Sequence, residues 1–588
     1  MHLMKFVSLV ILIPFLWFGF NKSFSQNTSV LQKQIEEVVS HGNPITKIDL
    51  IKKNSLRNSA WFAGLKNSSK ANVFTPDDSR LAICLRTKPA LLNISMQLPN
   101  GTLSNLILQS QKLYSEDSKL LSSDDLIGIP LNSGVHYSGF ISGVPGSMVA
   151  LSIYEHEIAG VISTPEDGNI IIGKMASKEM IENNTNEHVI YFENDLAKNS
   201  GFECGVTESH ELFQSLREQA NAPQDIFENR CRTVKIFLEC DYRMYQDRNL
   251  QKNQVVSYVT SVFNVVKTLY ANESVKLEIS DIMVWTTQDP FPKTTLQNII
   301  YGYAEYRKNN FKGDLAQLVS TYPSQGGIAF VNGMCTTYNG QIGPHSYAYI
   351  YNTFNTLPTY SWSVEVMAHE LGHNFGSWHT HSCVWGPQKN AQIDNCQTPD
   401  VGSCNPGPTP NGGGTIMSYC HLTGVGINFS KGFGQEPGDI LRNAVNNKPC
   451  LTAIFTPSQK LNLQGPYFDG DNLKIQAKPV NANYTYDWFH YDYKLPGKND
   501  TFLDVKYSGI YKAAVSDNCT EYAAPDTIKI NDFQVNLGCP VVKGKKDSIM
   551  SQIIVDVDNF AKSDTLIFPS GLFATIPTKA LDILVELQ

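Results

Sequence analysis

The chain has 588 residues, which predicts three or four folded domains rather than one. Its 47 basic and 55 acidic residues leave it mildly acidic, and the lack of a basic block argues against nucleic acid as a partner. A hydrophobic content of 42% is ordinary for a globular protein that folds in water.

The N-terminus has the composition of a secretory signal peptide, which we predict at residues 1–25. Lys5 precedes an apolar run from Phe6 to Phe20, and a small-x-small cleavage triplet follows at 23–25. A retained membrane anchor is the alternative, but the apolar run is short for a bilayer span. We therefore expect the mature chain to be secreted, extracellular and without a membrane-spanning segment.

Residues 26–225 are predicted to be rich in short strands. The stretch from His136 to Thr164 alternates apolar and polar residues, with glycine and proline between the runs. Near its end lies the tetrapeptide CGVT, Cys204 to Thr207, and the polar stretch that follows, as far as Pro223, has the composition of a linker.

Residues 230–450 are predicted to form an α/β domain, a mixed sheet flanked by helices, because strand-like and helix-like runs alternate along them. The predicted strands open the stretch Arg232–Tyr245 and span Val275–Trp285, Asp314–Ser320, Gly327–Val331 and Tyr347–Tyr351. The predicted helices span Asn253–Tyr270 and Thr294–Lys308.

The stretch from Val364 to His379, VEVMAHELGHNFGSWH, carries a motif that predicts chemistry. On a helix His369 and His373, four residues apart, share one face and can bind one zinc ion. Glu370 lies one step further round the helix. There it can act as general base on a metal-bound water without being a ligand itself.

The motif continues beyond the helix. Gly376 can take the left-handed conformation that ends a helix, and the turn returns His379 as a third nitrogen ligand, leaving the fourth tetrahedral position for water. A single histidine would be interpreted as a satisfied core residue, but three histidines, a glutamate and a glycine at these spacings predict a catalytic zinc site. Ser361 or Ser363 is the predicted N-cap of the helix.

At these residues the chain resembles the metzincin metalloendopeptidases, whose pattern adds a Met-turn downstream. GTIMSYC, Gly414 to Cys420, is similar to that turn, and the resemblance implies that Met417 forms an apolar floor beneath the zinc. DLAQLVS and GIAFVNGMC, at 314–320 and 327–335, resemble strands of the reprolysin/adamalysin group. The resemblance reaches about Cys450 and implies a five-stranded mixed sheet whose edge strand, GIAFV, holds an extended peptide by β-augmentation.

The part of the chain before this domain has its own resemblance. The segment from His136 to Thr164 resembles the propeptide of reprolysin-type proteases, and CGVT is similar to the cysteine switch of adamalysins. This implies a zymogen in which the Cys204 thiolate occupies the open zinc position, since zinc lowers a thiol's pKa and binds its deprotonated form. The alternative is a disulfide between Cys204 and Cys84.

Two positions depart from the adamalysin pattern. Thr380 stands where adamalysins have Asp after the third histidine, which makes the chain similar to pappalysins there. Tyr419 follows Met417 by two residues, as in serralysins and astacins, where this tyrosine ligates zinc or steadies the tetrahedral intermediate. Packing alone is the other interpretation of Tyr419. We expect His381 to be a solvated loop residue, because three ligands already suffice.

Secretion makes disulfides the expected state of the twelve cysteines. Cys383, Cys396, Cys404 and Cys420 lie in a loop segment rich in Gly, Pro and Asn and are predicted to form two bridges there, with the connectivity left open. A second zinc ion at these four cysteines is the alternative, which the lack of paired C-x-x-C spacing disfavours.

The C-terminal part is predicted to consist of β modules. Residues 457–531 resemble an immunoglobulin-like β-sandwich, because an aromatic-rich strand, a Pro-Gly turn and the run SGIY follow one another there. Residues 532–588 are β-rich and resemble the opening strands of a proprotein-convertase P-like domain that is cut short.

Together these features predict a secreted, zinc-dependent endopeptidase, made as a latent zymogen, with proteins or peptides as substrates. Glu370 would activate the water, one zinc ion would be the cofactor, and the segment Leu422–Phe429 would line the S1′ pocket. Neither a structural calcium ion nor the oligomeric state can be read from the sequence. The alternatives are a catalytically silent secreted binding protein on the same fold and a pappalysin- or serralysin-like metzincin; the Met-turn disfavours a zinc amidase or deaminase.

Overall fold

The computed structural model describes much of the first 451 residues and a set of strands beyond them. Up to that point the described residues are 28–40, 43–53, 55–58, 71–131, 133–175, 186–196, 203–205, 232–324, 326–352 and 360–451. Beyond it they are 462–469, 472–478, 485–491, 493–495, 498, 500–505, 509–516, 521–523, 528–530, 535–537, 550–555, 565–567, 573–575 and 582–585. The predicted signal peptide and linker lie outside these ranges. Within them, no helix has the length and apolarity that a bilayer span requires.

Residues 43–196, here called the N-terminal β-region, follow helix α1 (Val30–Ser40) and contain helix α2 (Asp78–Thr87). The strands are Thr46–Lys47 (β1), Arg57–Asn58 (β2), Asn72–Phe74 (β3), Leu91–Gln97 (β4), Leu103–Ser110 (β5), Lys119–Ser122 (β6), Asp125–Pro130 (β7), Val135–Ile141 (β8), Met148–Ile153 (β9), Ile158–Thr164 (β10), Gly168–Lys174 (β11) and His188–Phe192 (β12). Ten of them form one sheet in the order β1-β4-β5-β8-β9-β10-β11-β12-β3-β2.

The central strands β8 to β10 of this sheet are buried on both faces. Successive side chains of a strand point to opposite faces, so both faces must be covered. Val149 and Ile162 pack with Leu81 of α2, whereas Ala150 and Val161 belong to a core shared with the region that follows. The second face of the sheet is therefore covered by another part of the chain.

That part is residues 232–451, here called the α/β region. Its helices are Tyr242–Asp247 (α3), Lys252–Asn272 (α4), Leu296–Arg307 (α5), Tyr360–Phe375 (α6) and Gln435–Asn447 (α7). A short strand, Glu203–Cys204 (β13), precedes it, and its own strands are Thr233–Cys240 (β14), Lys276–Val284 (β15), Leu315–Ser320 (β16), Gly326–Ala329 (β17) and His345–Tyr349 (β18). The predicted strands and the predicted helices α4 and α5 are present, with ends close to those predicted, whereas α3 and α7 were not predicted.

The α/β region contributes five strands to a mixed sheet, and strands from earlier in the chain extend both edges. The order is β13-β17-β18-β16-β14-β15-β6-β7. Strands β14, β15, β16 and β18 are parallel, and β17 runs antiparallel to β18. At one edge β13 pairs with β17, and at the other β6 pairs with β15. The mixed α/β character agrees with the sequence prediction, but the added edge strands were not predicted.

Helix α4 lies between the two regions. Its apolar residues at helical spacing, Val259, Val262 and Val266 among them, are buried in the shared core. Its other face carries small polar residues: Asn264 Nδ2 lies 3.2 Å from two backbone carbonyl oxygens of the N-terminal β-region, to which it donates. The helix is thus covered on both sides.

The C-terminal strands are Asn462–Asp469 (β19), Asn472–Lys478 (β20), Thr485–His490 (β21), Tyr493–Lys494 (β22), Phe502–Asp504 (β23), Gly509–Ser516 (β24), Glu521–Ala523 (β25), Ile528–Ile530 (β26), Val535–Leu537 (β27), Met550–Val555 (β28), Thr565–Ile567 (β29), Phe573–Thr575 (β30) and Asp582–Val585 (β31). The sheet β19-β20-β23 and the sheet built on β21 and β24 share a core around Trp488, with Ile475 and Leu503. Strands β27 to β31 form a further sheet. The immunoglobulin-like and P-like identities stay predictions.

Candidate metal centre

Helix α6 is a buried helix that carries the first part of the motif. Ser361 and Ser363 lie inside its first turn, so the predicted N-cap role of these serines is wrong. Ser363 Oγ instead accepts a hydrogen bond from the backbone N–H of Tyr351 at 3.2 Å. The serine therefore ties the start of α6 to the chain that follows β18.

Gly376 ends the helix as predicted from its lack of a Cβ. Its φ is +107°, a left-handed value that favours glycine. The N–H of Gly376 donates to His373 O at 2.8 Å, and the N–H of Ser377 donates to Gly372 O at 3.0 Å, the double closure of a Schellman motif. This reversal directs the chain back towards the helix, so that His379 faces His369 and His373.

The three histidines meet at one point. Each pair of Nε2 atoms among His369, His373 and His379 is separated by 3.1 Å. Nitrogen ligands that lie about 2.0–2.1 Å from a tetrahedral zinc ion are about 3.3 Å from one another, close to the observed spacing. All three side chains are buried. The size of the triangle fits one zinc ion.

Hydrogen bonds set the tautomers of the two histidines on the helix. Nδ1 of His369 lies 2.8 Å from Ile416 O, and Nδ1 of His373 lies 2.8 Å from Ser377 O. A carbonyl oxygen only accepts, so each Nδ1 carries the hydrogen. Burial, reinforced by the neighbouring histidines, holds the pKa of both rings well below 6.5, so both are neutral. Their Nε2 lone pairs face each other at 3.1 Å, an arrangement that a cation between them stabilises.

The chain around Met417 packs against the same helix. Met417 is fully buried, and a Cβ added to Gly372 would lie 2.6 Å from its sulfur. The N–H of Thr380 donates to Met417 O at 3.1 Å, which joins this turn to the residue after His379. A glycine in the last turn of α6 therefore allows the predicted Met-turn to approach the helix closely.

Glu370 lies beside the triangle of histidines without joining it. Its side chain is fully buried, and Oε1 has no hydrogen-bond partner among the described residues. Desolvation raises the pKa of this carboxyl well above 4.5. A Cβ on Gly327 of β17 would lie 2.4 Å from Oε1, so only a glycine allows the edge strand to pass so close to the carboxyl.

Cys204 reaches the centre on β13, which pairs in parallel with β17. Its sulfur lies 3.5 Å from His373 Nε2 and 3.7 Å from Glu370 Oε2. The sulfur and the three imidazole nitrogens all lie within 4.8 Å of one another. These four residues can together hold a metal ion.

Comparison with known proteins points to the same chemistry. The family model described as Reprolysin_5, Metallo-peptidase family M12, matches residues 230–428. This stretch is reprolysin-like. It contains the three histidines, Glu370 and Met417, and it begins after Cys204 and the N-terminal β-region.

Individual relatives match over a similar part of the chain. Disintegrin and metalloproteinase domain-containing proteins 1a and 1b of Mus musculus and protein 1 of Rattus norvegicus are each 24% identical over 272 residues. The match covers 44% of this chain but only about a third of each relative, 32%, 31% and 32% respectively. A solved structure titled "Structure of a chaperone-substrate complex" matches 37% of this chain and 34% of its own at 16% identity and a TM-score of 0.23, from which nothing follows about the fold.

Tyr419 lies against the reprolysin-like centre. Its ring centroid is 4.7 Å from that of His379 and 6.1 Å from that of His369. Its hydroxyl accepts a hydrogen bond from the backbone N–H of Cys204 at 3.0 Å. Burial raises the pKa of this hydroxyl far above 10, so it is a neutral group that can also donate. Tyr419 thus contacts both the switch candidate and the histidines.

Asp400 joins the centre although the sequence did not point to it. Its Oδ2 lies 2.6 Å from His379 Nδ1 and 2.7 Å from His381 Nε2. His381 is fully buried and stacks on His379 with centroids 5.0 Å apart, so the expectation of a solvated loop residue is wrong. No local spacing links Asp400 to the motif; the only hint is Thr380, which stands where adamalysins have an aspartate.

Disulfides hold the loop that supplies Asp400. Cys383 bonds to Cys404 and Cys396 bonds to Cys420, which confirms that these four cysteines form two bridges. A third bridge joins Cys335 to Cys450, near the end of the α/β region.

The remaining described cysteines are thiols. Cys84 and Cys240 are buried, and Cys204 is partly buried. The alternative of a bridge between Cys84 and Cys204 is wrong, because Cys84 lies on the buried face of α2 while Cys204 lies at the histidines. Burial raises the pKa of Cys84 to about 11, which makes it an inert thiol.

Proposed function

We propose that the chain is a secreted zinc endopeptidase that its own N-terminal part holds latent. The observation that carries this is the convergence of three buried histidines beside a buried carboxylate, within a stretch that matches a metallopeptidase family. His369, His373 and His379 would hold zinc, which when bound lowers the pKa of a water molecule to near neutrality and polarises a peptide carbonyl. In this proposal residues 26–225 are the propeptide and residues 230–450 the catalytic domain.

Glu370 is the general base in this proposal. It follows His369 on α6, and its carboxylate faces the side of the triangle on which the Cys204 sulfur lies. It would accept a proton from the attacking water and deliver that proton to the leaving amine. Its buried position beside the histidines would place the carboxylate near the water molecule without making Glu370 a zinc ligand.

The edge strand β17 is the proposed substrate platform. In the unprocessed chain its outer edge is occupied by β13, and Gly205 N donates to Gly327 O at 2.8 Å. Removal of β13 would leave the backbone groups of β17 available to an extended peptide, which is how edge strands bind peptides by β-augmentation. The substrate is therefore a peptide segment in extended conformation.

The geometry of Cys204 supports latency through its thiolate. A thiolate at about 2.3 Å from zinc and an imidazole nitrogen at about 2.0–2.1 Å are about 3.6 Å apart in a tetrahedron. The observed separation of Cys204 Sγ and His373 Nε2, 3.5 Å, agrees with that value. Cys204 would then occupy the position that water needs.

The N-terminal β-region also holds the predicted S1′ segment. Ser163 Oγ donates to Asn428 Oδ1 at 2.9 Å, and Asn428 Nδ2 donates to Thr164 O at 3.0 Å. Phe429 N donates to Asn169 Oδ1 at 3.0 Å. These bonds would be lost on processing, so the S1′ wall would be freed at the same time as the zinc position.

Peptide profiling tests the proposed function. The purified chain, after proteolysis in the linker, should hydrolyse members of a peptide library, and a zinc chelator should abolish the hydrolysis. Added zinc should restore it. A processed chain that retains zinc but cleaves no peptide or protein would instead support the catalytically silent binding protein.

A further inference from the structure

The third histidine of the centre differs from the other two in what its Nδ1 contacts. His369 and His373 each place Nδ1 against a backbone carbonyl, whereas His379 places it against the carboxylate of Asp400. The same oxygen of Asp400 lies within hydrogen-bond distance of His381 Nε2. Both histidines are almost completely buried, at 1% and 0% exposure, and the carboxylate is 35% exposed.

We propose that Asp400 is the positioning residue of the third zinc ligand, and that His381 is the residue that holds Asp400 in place. This inference rests on the zinc centre of the proposed function. A carboxylate that accepts the Nδ1 hydrogen fixes the ring orientation and makes the opposite nitrogen a stronger ligand than a carbonyl does. His379 needs this help most, because it lies beyond the end of α6.

The distances distinguish hydrogen bonds from a second metal site. The ring nitrogens of His379 and His381 lie 2.6 Å and 2.7 Å from Asp400 Oδ2, which are lengths of charge-assisted N–H···O bonds. Two ligand atoms of one zinc ion would be about 3.3 Å apart, as the three Nε2 atoms nearly are. Asp400 therefore joins two imidazoles by hydrogen bonds.

The loop is built to present this carboxylate. The Cys383–Cys404 bridge closes it, and Cys383 N donates to Val401 O at 2.8 Å, which fixes the residue next to Asp400. Val401 is buried in a small core with Trp385, whose Nε1 donates to His379 O at 2.8 Å. The residues on both sides of the contact are thus held by other bonds.

Thr380 stands where adamalysins have an aspartate, so the residue after the third histidine has no carboxylate in this chain. Its N–H donates to Met417 O, and its own carbonyl accepts from Ile393 N at 2.8 Å. The position that carries aspartate in adamalysins is therefore used here to join the ligand to the Met-turn and to the disulfide loop. The carboxylate arrives from the loop instead.

Zinc affinity is the direct test, measured by competition with a chromophoric chelator. The full chain is used with Glu370→Gln, which suppresses self-cleavage, and Asp400→Asn or Asp400→Ala is added to it. We expect zinc binding to weaken about 10-fold for Asp400→Asn and up to about 100-fold for Asp400→Ala. His381→Gln, which retains a donor, should lose less affinity than His381→Ala.

Glu436→Gln is the matched control. Glu436 Oε2 accepts from Gly386 N at 2.8 Å, so this carboxylate fastens the same loop but contacts none of the histidines. If Asp400 acts through His379, Glu436→Gln should keep the parent zinc affinity. The cobalt-substituted protein adds a second readout, because the visible spectrum should change for Asp400→Asn and not for Glu436→Gln.

The possible results separate the two proposals. Any of three results would overturn the positioning role of Asp400. They are an unchanged zinc affinity in Asp400→Ala, equal losses of zinc affinity in Asp400→Asn and Glu436→Gln, and two zinc ions bound per chain. A parent chain that binds no zinc would overturn the proposed function itself. Weaker zinc binding confined to the Asp400 and His381 variants supports the inference independently of any peptidase assay.

Discussion

At the scale of single residues, the proposed hydrolysis would depend on side chains that are buried beside the histidines. Glu370 and Tyr419 are both buried, both contact the Cys204 backbone or sulfur, and neither belongs to the triangle of histidines. Electrostatic interactions are stronger in such surroundings than in water. The two side chains differ in the step that each would serve, so their variants should differ in kinetics.

Glu370→Gln tests the base. The amide is nearly isosteric, and Glu370 is not one of the proposed ligands, so zinc should stay bound. Hydrolysis of a peptide by the processed chain should fall by roughly two to four orders of magnitude, the usual range for a positioned base. Metal analysis and kcat/KM on the same sample check this, and zinc-loaded Glu370→Gln with normal turnover would remove Glu370 from the mechanism.

Tyr419→Phe separates catalysis from packing. If the hydroxyl donates to the developing oxyanion, kcat should fall by roughly 10- to 1000-fold while KM hardly moves, because that bond forms mainly in the transition state. The ring stays in place, so the melting temperature should change little. Steady-state kinetics and melting curves are measured in parallel; an unchanged kcat would leave Tyr419 with a packing role only.

At the scale of elements, β13 is the strand on which the proposed latency would depend. It has only two residues, pairs along one edge of β17 and places Cys204 at the histidines. Gly205 follows it, and a Cβ there would lie 2.9 Å from Leu296 of α5. The lack of a side chain at Gly205 thus allows the chain after β13 to lie against α5. A two-residue strand contributes few hydrogen bonds of its own.

Cys204→Ala should give the unprocessed chain peptidase activity, because the sulfur no longer fills the position that water needs. The matched control is Cys84→Ala, which removes a buried thiol far from the centre and should leave the chain latent. Hydrolysis of a short peptide is measured, and mass spectrometry of the same sample verifies that the chain is still unprocessed. If intact Cys204→Ala is as silent as the parent, other contacts of the N-terminal β-region cause the latency.

The elements and the local motif could be predicted from the sequence, but long-range contacts could not. The periodicity of α4 and the spacing of His369, His373 and Gly376 are local patterns, so they indicated a helix, its end and a histidine cluster. Asp400 depends on a loop closed by a disulfide whose partner no spacing reveals. His381 was misjudged for the same reason: its burial is set by that loop and not by its neighbours in sequence.

At the scale of the whole molecule, buried histidines outside the centre make stability depend on pH. His345 of β18 is fully buried among the rings of Tyr303, Phe311 and Tyr338, and neither ring nitrogen has a hydrogen-bond partner among the described residues. Burial lowers its pKa from 6.5 to about 4, and the charge of Arg307 acts in the same direction. The folded chain therefore resists a proton that the unfolded chain accepts.

His345→Leu should reduce the sensitivity to acid. Between pH 6.5 and 4 the unfolded state binds the proton and the folded state does not, so the contribution of His345 to stability falls as the pH falls, by up to roughly 3 kcal/mol. A leucine of similar volume does not bind a proton, so its contribution to stability does not change with pH. The melting temperature of the variant relative to the parent should rise from pH 7 to pH 5, and a difference that stays constant with pH would contradict this account.

Folding of the α/β sheet also involves a strand of the N-terminal β-region, because β6 pairs with β15. Leu120 and Ile282 are partners in that register although they are distant in the sequence, and such contacts are costly to close and slow to form. During synthesis the N-terminal β-region leaves the ribosome first, and domains tend to fold in that order. The antiparallel pair β6–β7 is then already present when β15 emerges. This pair can serve as a template on which the α/β sheet is completed. A chain that starts at residue 230 lacks this template and leaves the edge of β15 unpaired, so it should aggregate more readily than the full chain.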